Sequence, residues 1–230
     1  MYASSNIACY ATITAEINRR YCQRQGYGFC FEQYDEFELT PPHEKVRIMQ
    51  RHLASAEYLL WIDADACVVN FSQRLEEFCS NGNDIVIAGH QFGFAPFGER
   101  MRYEIGGVPC GLNSGVMMFR NSKWSSNFLA DWWDRCVEGE RQGTAFMEQG
   151  QLQQMLMENA NDIQRHINIV TPCSRLNRCD DDGQDVCEFI LHLWGSDEET
   201  RTRIFQQIAA GQHPETSISL PTFDVNMHSS

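Results

Sequence analysis

An apolar stretch that ends in two closely spaced carboxylates restricts what this chain can fold into. Residues 58–62 read Tyr-Leu-Leu-Trp-Ile, the length and composition of a buried strand, and Asp63 and Asp65 follow directly. In an extended backbone, residues two apart point to the same side, so both carboxylates are expected to face one site. Two like charges at a buried strand end repel unless a cation lies between them, and oxygen ligands favour a hard divalent ion. The stretch therefore predicts an α/β fold with a divalent metal at a strand end.

The charge of the chain excludes some classes of partner. The 230 residues carry a net charge of −13, and Lys45 and Lys123 are the two lysines in the sequence. Nucleic acid and anionic membrane surfaces are therefore not expected as partners. An anionic small ligand would need a bound metal to supply much of the attraction. With 43% hydrophobic residues, the chain can form a packed core.

Strand-like and helix-like segments alternate along the sequence, which predicts a layered α/β fold with a mostly parallel central sheet flanked by helices. We expect one domain over residues 1–212 and a polar C-terminal tail over residues 213–230. Residues 2–6 read like the end of a strand and its turn. The first strand is therefore expected to be short or truncated. The next strand is expected at residues 27–31.

Ten cysteines are scattered along the chain, without a Cys-x-x-Cys pair, so the spacing does not predict a structural zinc site. Cys173, Cys179 and Cys187 fall in a loop-like region and could form a disulfide in an oxidising compartment. The other seven are expected to be reduced core residues. No apolar run of 18 residues is present, so no membrane-spanning segment is expected. The N-terminus does not read as a signal peptide.

Four further residues or groups of residues have both a functional and a structural interpretation. Asn113 and Ser114 precede Gly115 at a strand start and could bind sugar hydroxyls while the glycine lets the ligand approach the backbone, although the same residues are typical of a turn. Glu148 and Gln149 could orient a hydroxylated ligand, or could begin a helix with a favourable negative charge. His192 lies in an apolar strand, as a satisfied core histidine or as a metal ligand. Residues 90–111 form either a mobile wall over a site or an irregular surface hairpin.

The order of four sequence motifs resembles a known enzyme group. These are Leu-Trp-Ile-Asp-Ala-Asp-Ala, Leu-Asn-Ser-Gly-Val-Met-Met-Phe-Arg-Asn-Ser-Lys-Trp, Glu-Gln-Gly-Gln-Leu and His-Leu-Trp-Gly. Together they resemble GT-A-fold nucleotide-diphospho-sugar glycosyltransferases, especially the galactosyl-, mannosyl- and xylosyltransferase group of fungi and plants. Small algal-virus glycosyltransferase domains are similar too. The resemblance covers roughly residues 2–205, nearly the whole chain.

The resemblance implies a role for each matching residue. Asp63, Asp65 and His192 would bind the metal, which is Mn²⁺ or Mg²⁺. Glu148, Gln149 and Asn113 would line the reacting sugar, although the family pair is usually Asp-Gln rather than Glu-Gln. The donor nucleotide would be bound by these residues: Tyr2, Ala3, Ser4, Asp63, Ala64, Asp65, Ser114, His192 and Gly195. Arg201 or Arg203 would balance the phosphates.

The expected reaction is metal-dependent transfer of a sugar from a nucleoside-diphosphate donor, UDP-linked, to a hydroxyl of a glycan or another acceptor. The resemblance includes retaining enzymes, so retention is the expected stereochemistry. A catalytically silent sugar-nucleotide or glycan-binding domain is one alternative. A haloacid-dehalogenase-like phosphatase, which also carries Asp-x-Asp after a strand, is another. An enzyme of a eukaryotic secretory pathway would be expected in the Golgi lumen, and otherwise in the cytoplasm.

Overall fold

Strands and helices alternate along the chain, as the sequence predicted. The computed structural model describes residues 1–79, 81–90, 92–94, 100–143, 147–178 and 187–212. The helices are α1 Ala8–Gln25, α2 Pro41–His52, α3 Lys123–Gln142, α4 Met147–Met157 and α5 Glu198–Ala209. The strands are β1 Tyr2–Ala3, β2 Glu32–Gln33, β3 Tyr58–Ile62, β4 Ala66–Val68, β5 Ile85–His90, β6 Phe92–Phe94, β7 Arg100–Arg102, β8 Glu104–Ile105, β9 Val108–Pro109, β10 Gly111–Arg120, β11 Ile167–Val170, β12 Asn177–Arg178 and β13 Ile190–His192. The predicted tail over residues 213–230 lies outside the described residues.

The central sheet has four strands in the order β11-β5-β10-β3. Strands β11, β5 and β3 run in one direction, while β10 is antiparallel to both of its neighbours. The sheet is therefore mixed, whereas a mostly parallel sheet was predicted. The reason is the connection between β5 and β10. This connection contains the short hairpins β6-β7 and β8-β9 and brings the chain back to the end of the sheet where β5 finishes. Strand β10 therefore begins there, with Gly111 paired to His90.

A second sheet, in the order β12-β13-β4, carries part of the polar chemistry. Strand β4 follows β3 after a short turn and pairs antiparallel with β13. This register places Ala66 opposite His192. As a result, the carboxylates that follow β3 and the late histidine meet where the two sheets adjoin, although more than 120 residues separate them in sequence.

Helices cover the sheets and hold the polar turn in place. Trp132 and Phe128 of α3 are fully buried, with ring centroids 6.5 Å and 6.4 Å from that of Phe119 in β10. On α1, the Thr14 hydroxyl donates to the Ala64 carbonyl at 2.7 Å. The side chain of Asn18, also on α1, bonds the β4 backbone. Its amide donates to the Ala66 carbonyl and its oxygen accepts from the Val68 amide.

The N-terminal region differs from its prediction in one respect. Strand β1 is short, as expected, and pairs in parallel with β2. Residues 27–31 do not form the predicted strand, which instead comprises Glu32 and Gln33. The sequence at 27–31 is aromatic and apolar, but pairing with β1 places the strand directly after this segment.

The described cysteines are divided between the core and the surface. All nine described cysteines are free thiols, and Cys179 lies outside the described residues. Cys9 and Cys30 are exposed, so the prediction of a core position was wrong for these two. Cys9 lies on α1 at the edge of the apolar face, where the side chain reaches solvent. Cys30 lies in a connecting segment, which has no side packed against the core. Within the described ranges, no helix is long and apolar enough to cross a membrane.

Candidate metal and sugar-nucleotide site

A cleft of about 390 Å³ opens where the two sheets adjoin. Most of the residues singled out in the sequence line it: Asp63, Asp65, Asn113, Ser114, Glu148, Gln149, His192 and Gly195. Ala64 is buried beside the cleft without lining it, while Tyr2, Ala3 and Ser4 lie at β1, outside the lining. The structure therefore gathers the predicted metal and sugar residues at one place, while the predicted base-contacting residues lie outside the lining, with Ala3 in the same buried cluster as Ala64.

A tight turn brings the two aspartates together. The Asp63 carbonyl accepts from the Ala66 amide at 3.1 Å, which closes the turn between β3 and β4. The Asp63 amide donates to the Gly115 carbonyl, and the Leu193 amide donates to the Asp65 carbonyl. The carboxylates therefore converge through a turn anchored to β10 and to the end of β13. The prediction that they share one face of an extended strand was wrong, because the strand ends at Ile62.

Asp65 is held by an imidazole and a guanidinium group. His192 Nε2 lies 3.1 Å from Asp65 Oδ1, and Arg201 Nη2 lies 2.9 Å from Oδ2. Burial would raise the pKa of Asp65, but His192 and then Arg201 oppose it, and the pKa is lowered to about 2. Arg201 is in turn fixed by a bond from Nε to the Leu193 carbonyl. Of the two arginines proposed to balance phosphates, Arg201 lines the cleft.

Gly115 makes room for the histidine. A Cβ atom built on this glycine would lie 2.1 Å from His192 Cε1 and 2.7 Å from Nδ1. Real Cβ atoms do not approach other atoms this closely, so a side chain at this position would displace the imidazole. The sequence suggested that this glycine lets a ligand approach the backbone. The structure shows that His192 fills the space instead.

The three predicted metal ligands are close enough to share one ion. One ligand atom from each of Asp63, Asp65 and His192 lies within 4.8 Å of the others. Two carboxylates and an imidazole form a donor set that suits Mn²⁺. Burial raises the pKa of Asp63, against the lowering effect of nearby Lys45. The residues present therefore fit the divalent ion that the sequence suggested.

Lys45 is a site residue that the sequence reasoning missed. Its Nζ lies 3.0 Å from Asp63 Oδ1 and 2.9 Å from Glu148 Oε1, and its side chain is almost fully buried. Burial lowers the pKa of Lys45, but the two carboxylates raise it more strongly, so the lysine is charged. In the sequence it resembles Arg47 and Arg51 of the same helix, which are exposed. The apolar residues around it, Val46 and Ile48, also flank the exposed Arg47 and therefore gave no signal that separates Lys45 from the arginines.

The start of β10 is fixed by side chains from α4. The Ser114 hydroxyl donates to Glu148 Oε1 at 2.8 Å, and the Ser114 amide donates to Gln149 Oε1 at 3.0 Å. Asn113 Oδ1 accepts from the Gly115 amide and from the Asn177 side chain. Ser114, Glu148 and Gln149 therefore form one hydrogen-bonded group that lines the cleft, and Asn113 lies beside it, held by Asn177.

Comparison with known proteins identifies the family. The model of the galactosyl transferase GMA12/MNN10 family matches residues 3–85 and 108–203. The chain belongs to this family. The match omits residues 86–107, most of which connect β5 to β10. The predicted resemblance, the GT-A fold and the enzyme class, a glycosyltransferase, are confirmed. A haloacid-dehalogenase-like phosphatase is excluded by the same finding.

Two fungal relatives support the assignment. The chain is 26% identical over 141 residues to the probable alpha-1,6-mannosyltransferase MNN10 of Saccharomyces cerevisiae, covering 53% of this chain and 36% of that protein. It is 23% identical over 193 residues to the uncharacterized alpha-1,2-galactosyltransferase C1289.13c of Schizosaccharomyces pombe, covering 73% and 50%. The chain therefore spans half or less of the length of these relatives.

Solved structures share the fold. A glycosyltransferase involved in glycosylation of the major capsid of PBCV-1 superposes with a TM-score of 0.65 at 19% identity, covering 90% of this chain and 98% of that one. The galactosyltransferase LgtC, in complex with donor and acceptor sugar analogs, gives 0.53 at 13% identity, covering 93% and 96%. At these identities the likeness concerns the fold.

Proposed function

We propose that this chain transfers a sugar from a nucleoside-diphosphate donor, UDP-linked, to an acceptor hydroxyl, and that the reaction depends on Mn²⁺ or Mg²⁺. The observation that carries the proposal is the convergence of Asp63, Asp65 and His192, whose ligand atoms lie within 4.8 Å of one another in the cleft. When bound there, a divalent ion would neutralise negative charge that develops on the departing diphosphate.

The charges in the cleft support a role for a cation. Three carboxylates, Asp63, Asp65 and Glu148, face two basic groups, Lys45 and Arg201, so the cluster has a net charge of −1 with His192 neutral. A diphosphate would add further negative charge to this cluster. A divalent ion between the aspartates would make the net charge of the cluster positive and would therefore favour binding of the anionic donor.

The other side chains would hold and orient the sugar. Ser114 and Lys45 hold one oxygen of Glu148, and Gln149 is bonded to the Ser114 amide. Both residues line the cleft, so an amide and a carboxylate would face a hydroxylated ligand in fixed positions. One oxygen of Glu148 is occupied by the Ser114 hydroxyl and the Lys45 ammonium group, so that oxygen is not free to take a proton from an acceptor hydroxyl. We extend the proposal to retention, because an inverting transfer requires a general base for the acceptor hydroxyl.

Titration of UDP with and without Mn²⁺ tests the proposed site. We expect Mn²⁺ to strengthen UDP binding, and Asp65→Ala to abolish this dependence by removing a ligand and the partner of His192 and Arg201. Asp134→Ala, which changes an exposed aspartate on α3, is the matched control. UDP binding that is independent of metal and unchanged by Asp65→Ala would contradict the site assignment.

A donor screen separates transfer from binding alone. UDP- and GDP-sugars are incubated with the chain and Mn²⁺, and nucleoside diphosphate release is measured. Release from one donor class, absent in Asp65→Ala, is the expected result. Metal-dependent UDP binding without release or transfer from any donor would instead favour a catalytically silent sugar-nucleotide-binding domain. The anomeric configuration of the first product, read by NMR, tests retention.

A further inference from the structure

A second cluster of metal-ligating side chains lies outside the cleft. Cys30 and Glu32 come from the segment that follows α1, and His52 is the last residue of α2. One ligand atom from each of the three lies within 4.8 Å of the others. The sequence spacing did not reveal this group, because the histidine is contributed by a different element.

The donors of this cluster differ in kind from those of the cleft. A thiolate, a carboxylate and an imidazole are the three types of ligand that Zn²⁺ binds in proteins, at about 2.0–2.3 Å. Around a tetrahedral ion at these bond lengths, donor atoms are about 3.5 Å apart. Glu32 Oε1 and His52 Nε2, now 2.5 Å apart, would therefore have to separate by about 1 Å to admit an ion, a rotamer adjustment for partly exposed groups. The cleft offers no sulfur among its three predicted ligands.

The surroundings leave access to the cluster. Glu32 Oε2 is 2.7 Å from Arg51 Nη2, while Oε1 lies against His52 Nε2. The amine of Met1 donates to the carbonyl oxygen of Cys30. All three donor residues line a cavity of about 650 Å³, which would admit an ion and a water as fourth ligand. Arg51 would keep its ion pair with Glu32 Oε2 and would thereby orient Oε1 toward the ion. Residues that hydrogen-bond to metal ligands commonly have this role.

We propose that Cys30, Glu32 and His52 bind Zn²⁺, with a water completing the coordination. The ion would connect β2 to the end of α2, and β2 pairs with β1. Zinc would therefore stabilise the N-terminal strand pair. The proposal is independent of the proposed transferase reaction, since it uses none of the residues that line the cleft.

Titration with Co²⁺ in place of Zn²⁺ tests this site directly, because a thiolate bound to Co²⁺ gives a charge-transfer absorption that oxygen and nitrogen ligands do not. The untagged chain is reduced with a phosphine, freed of metal and titrated with Co²⁺, then with Zn²⁺. We expect one equivalent of Co²⁺ to produce the band and Zn²⁺ to remove it. Cys30→Ser should abolish the band, and His52→Gln should weaken Co²⁺ binding by at least about tenfold.

Two controls separate this site from others. Cys9→Ser removes the other thiol that is exposed among the described cysteines and should leave the band unchanged. Asp65→Ala disables the cleft and should also leave it unchanged. Zn²⁺ should raise the melting temperature of the wild-type chain but not that of Cys30→Ser. A wild-type chain without the band, or a band that persists in Cys30→Ser, would overturn the proposal.

Discussion

The metal end of the cleft and the N-terminal strand pair are built in different ways. At the metal end, the turn that carries Asp63 and Asp65 is bonded to β10 and to the end of β13, and Asn18 of α1 holds the adjoining β4. At the N-terminal end, β1 and β2 pair over two residues each. The comparison shows that the predicted ligands are positioned by long-range backbone contacts, whereas β1 depends on a short ladder and on side-chain packing.

The packing at the N-terminal end is aromatic. The rings of Tyr2 and Tyr34 are 4.7 Å apart between centroids, and Phe37 lies 5.9 Å from Tyr34. Aromatic contacts of this kind add about 0.5–1.5 kcal/mol beyond the burial of area. The metal end is instead held by buried ion pairs. Removing one partner of such a pair lowers the free energy of unfolding by more than the loss of one aromatic contact does. Substitutions at the two ends should therefore differ in size and in what they change.

The largest effect is expected from Lys45→Met. Removing this cation leaves Asp63 and Glu148 close together without their shared partner, and breaking a buried ion pair costs about 3–5 kcal/mol. Burial already raises the pKa of Asp63, and without Lys45 the pKa should rise further. A carboxylate with a raised folded pKa stabilises the fold below its unfolded pKa, and that stability is lost as pH rises through the folded value. Urea unfolding at several pH values should therefore show a smaller deficit in acid.

Lys123→Met is the matched control, because Lys123 is the other lysine of the chain and is exposed. Its free energy of unfolding should stay within about 0.5 kcal/mol of the wild type. Lys45→Arg should restore part of the stability through its charge. A Lys45→Met chain as stable as Lys123→Met at neutral pH would show that the metal end does not depend on buried charge.

The sequence predicted which residues gather in the cleft better than it predicted the segments and side chains that pair with them. The apolar run before Asp63 and the motif order were enough to predict the fold, the family and the residues gathered in the cleft. Lys45 could not be separated from the exposed arginines of α2, because burial of a charge depends on partners distant in sequence. The position of β2 and the antiparallel direction of β10 are likewise set by pairing with other segments. Cys30 and His52 meet for the same reason.

A smaller effect is expected from Gly115→Ala, which tests whether the metal end depends on close packing. The added methyl would lie 2.1 Å from His192 Cε1, so the imidazole must move away from Asp65. Overpacking of this kind costs about 1–3 kcal/mol of stability. Mn²⁺-dependent UDP binding should weaken by at least about tenfold, since the ligand is displaced. Calorimetry gives the affinity, and thermal unfolding gives the change in stability.

Gly28→Ala serves as the control for this substitution. Gly28 is exposed, and a Cβ built there meets no atom within 4 Å. This variant should match the wild type in both stability and UDP affinity. If Gly115→Ala loses stability but keeps the full Mn²⁺ dependence of UDP binding, then the position of His192 is not what holds the metal.

The smallest effect is expected from Tyr34→Leu at the N-terminal end. The change removes the ring contacts with Tyr2 and Phe37 and should cost about 0.5–1.5 kcal/mol of stability. If β1 contacts the nucleotide base, UDP affinity should fall a few-fold while the affinity for Mn²⁺ in the absence of nucleotide is unchanged. Phe71→Leu is the matched control, because Phe71 is also half-buried and packs on Tyr21 instead. Equal UDP affinities in the two variants would show that the aromatic cluster supports the fold alone, and a loss of Mn²⁺ affinity in Tyr34→Leu would show that the two ends are coupled.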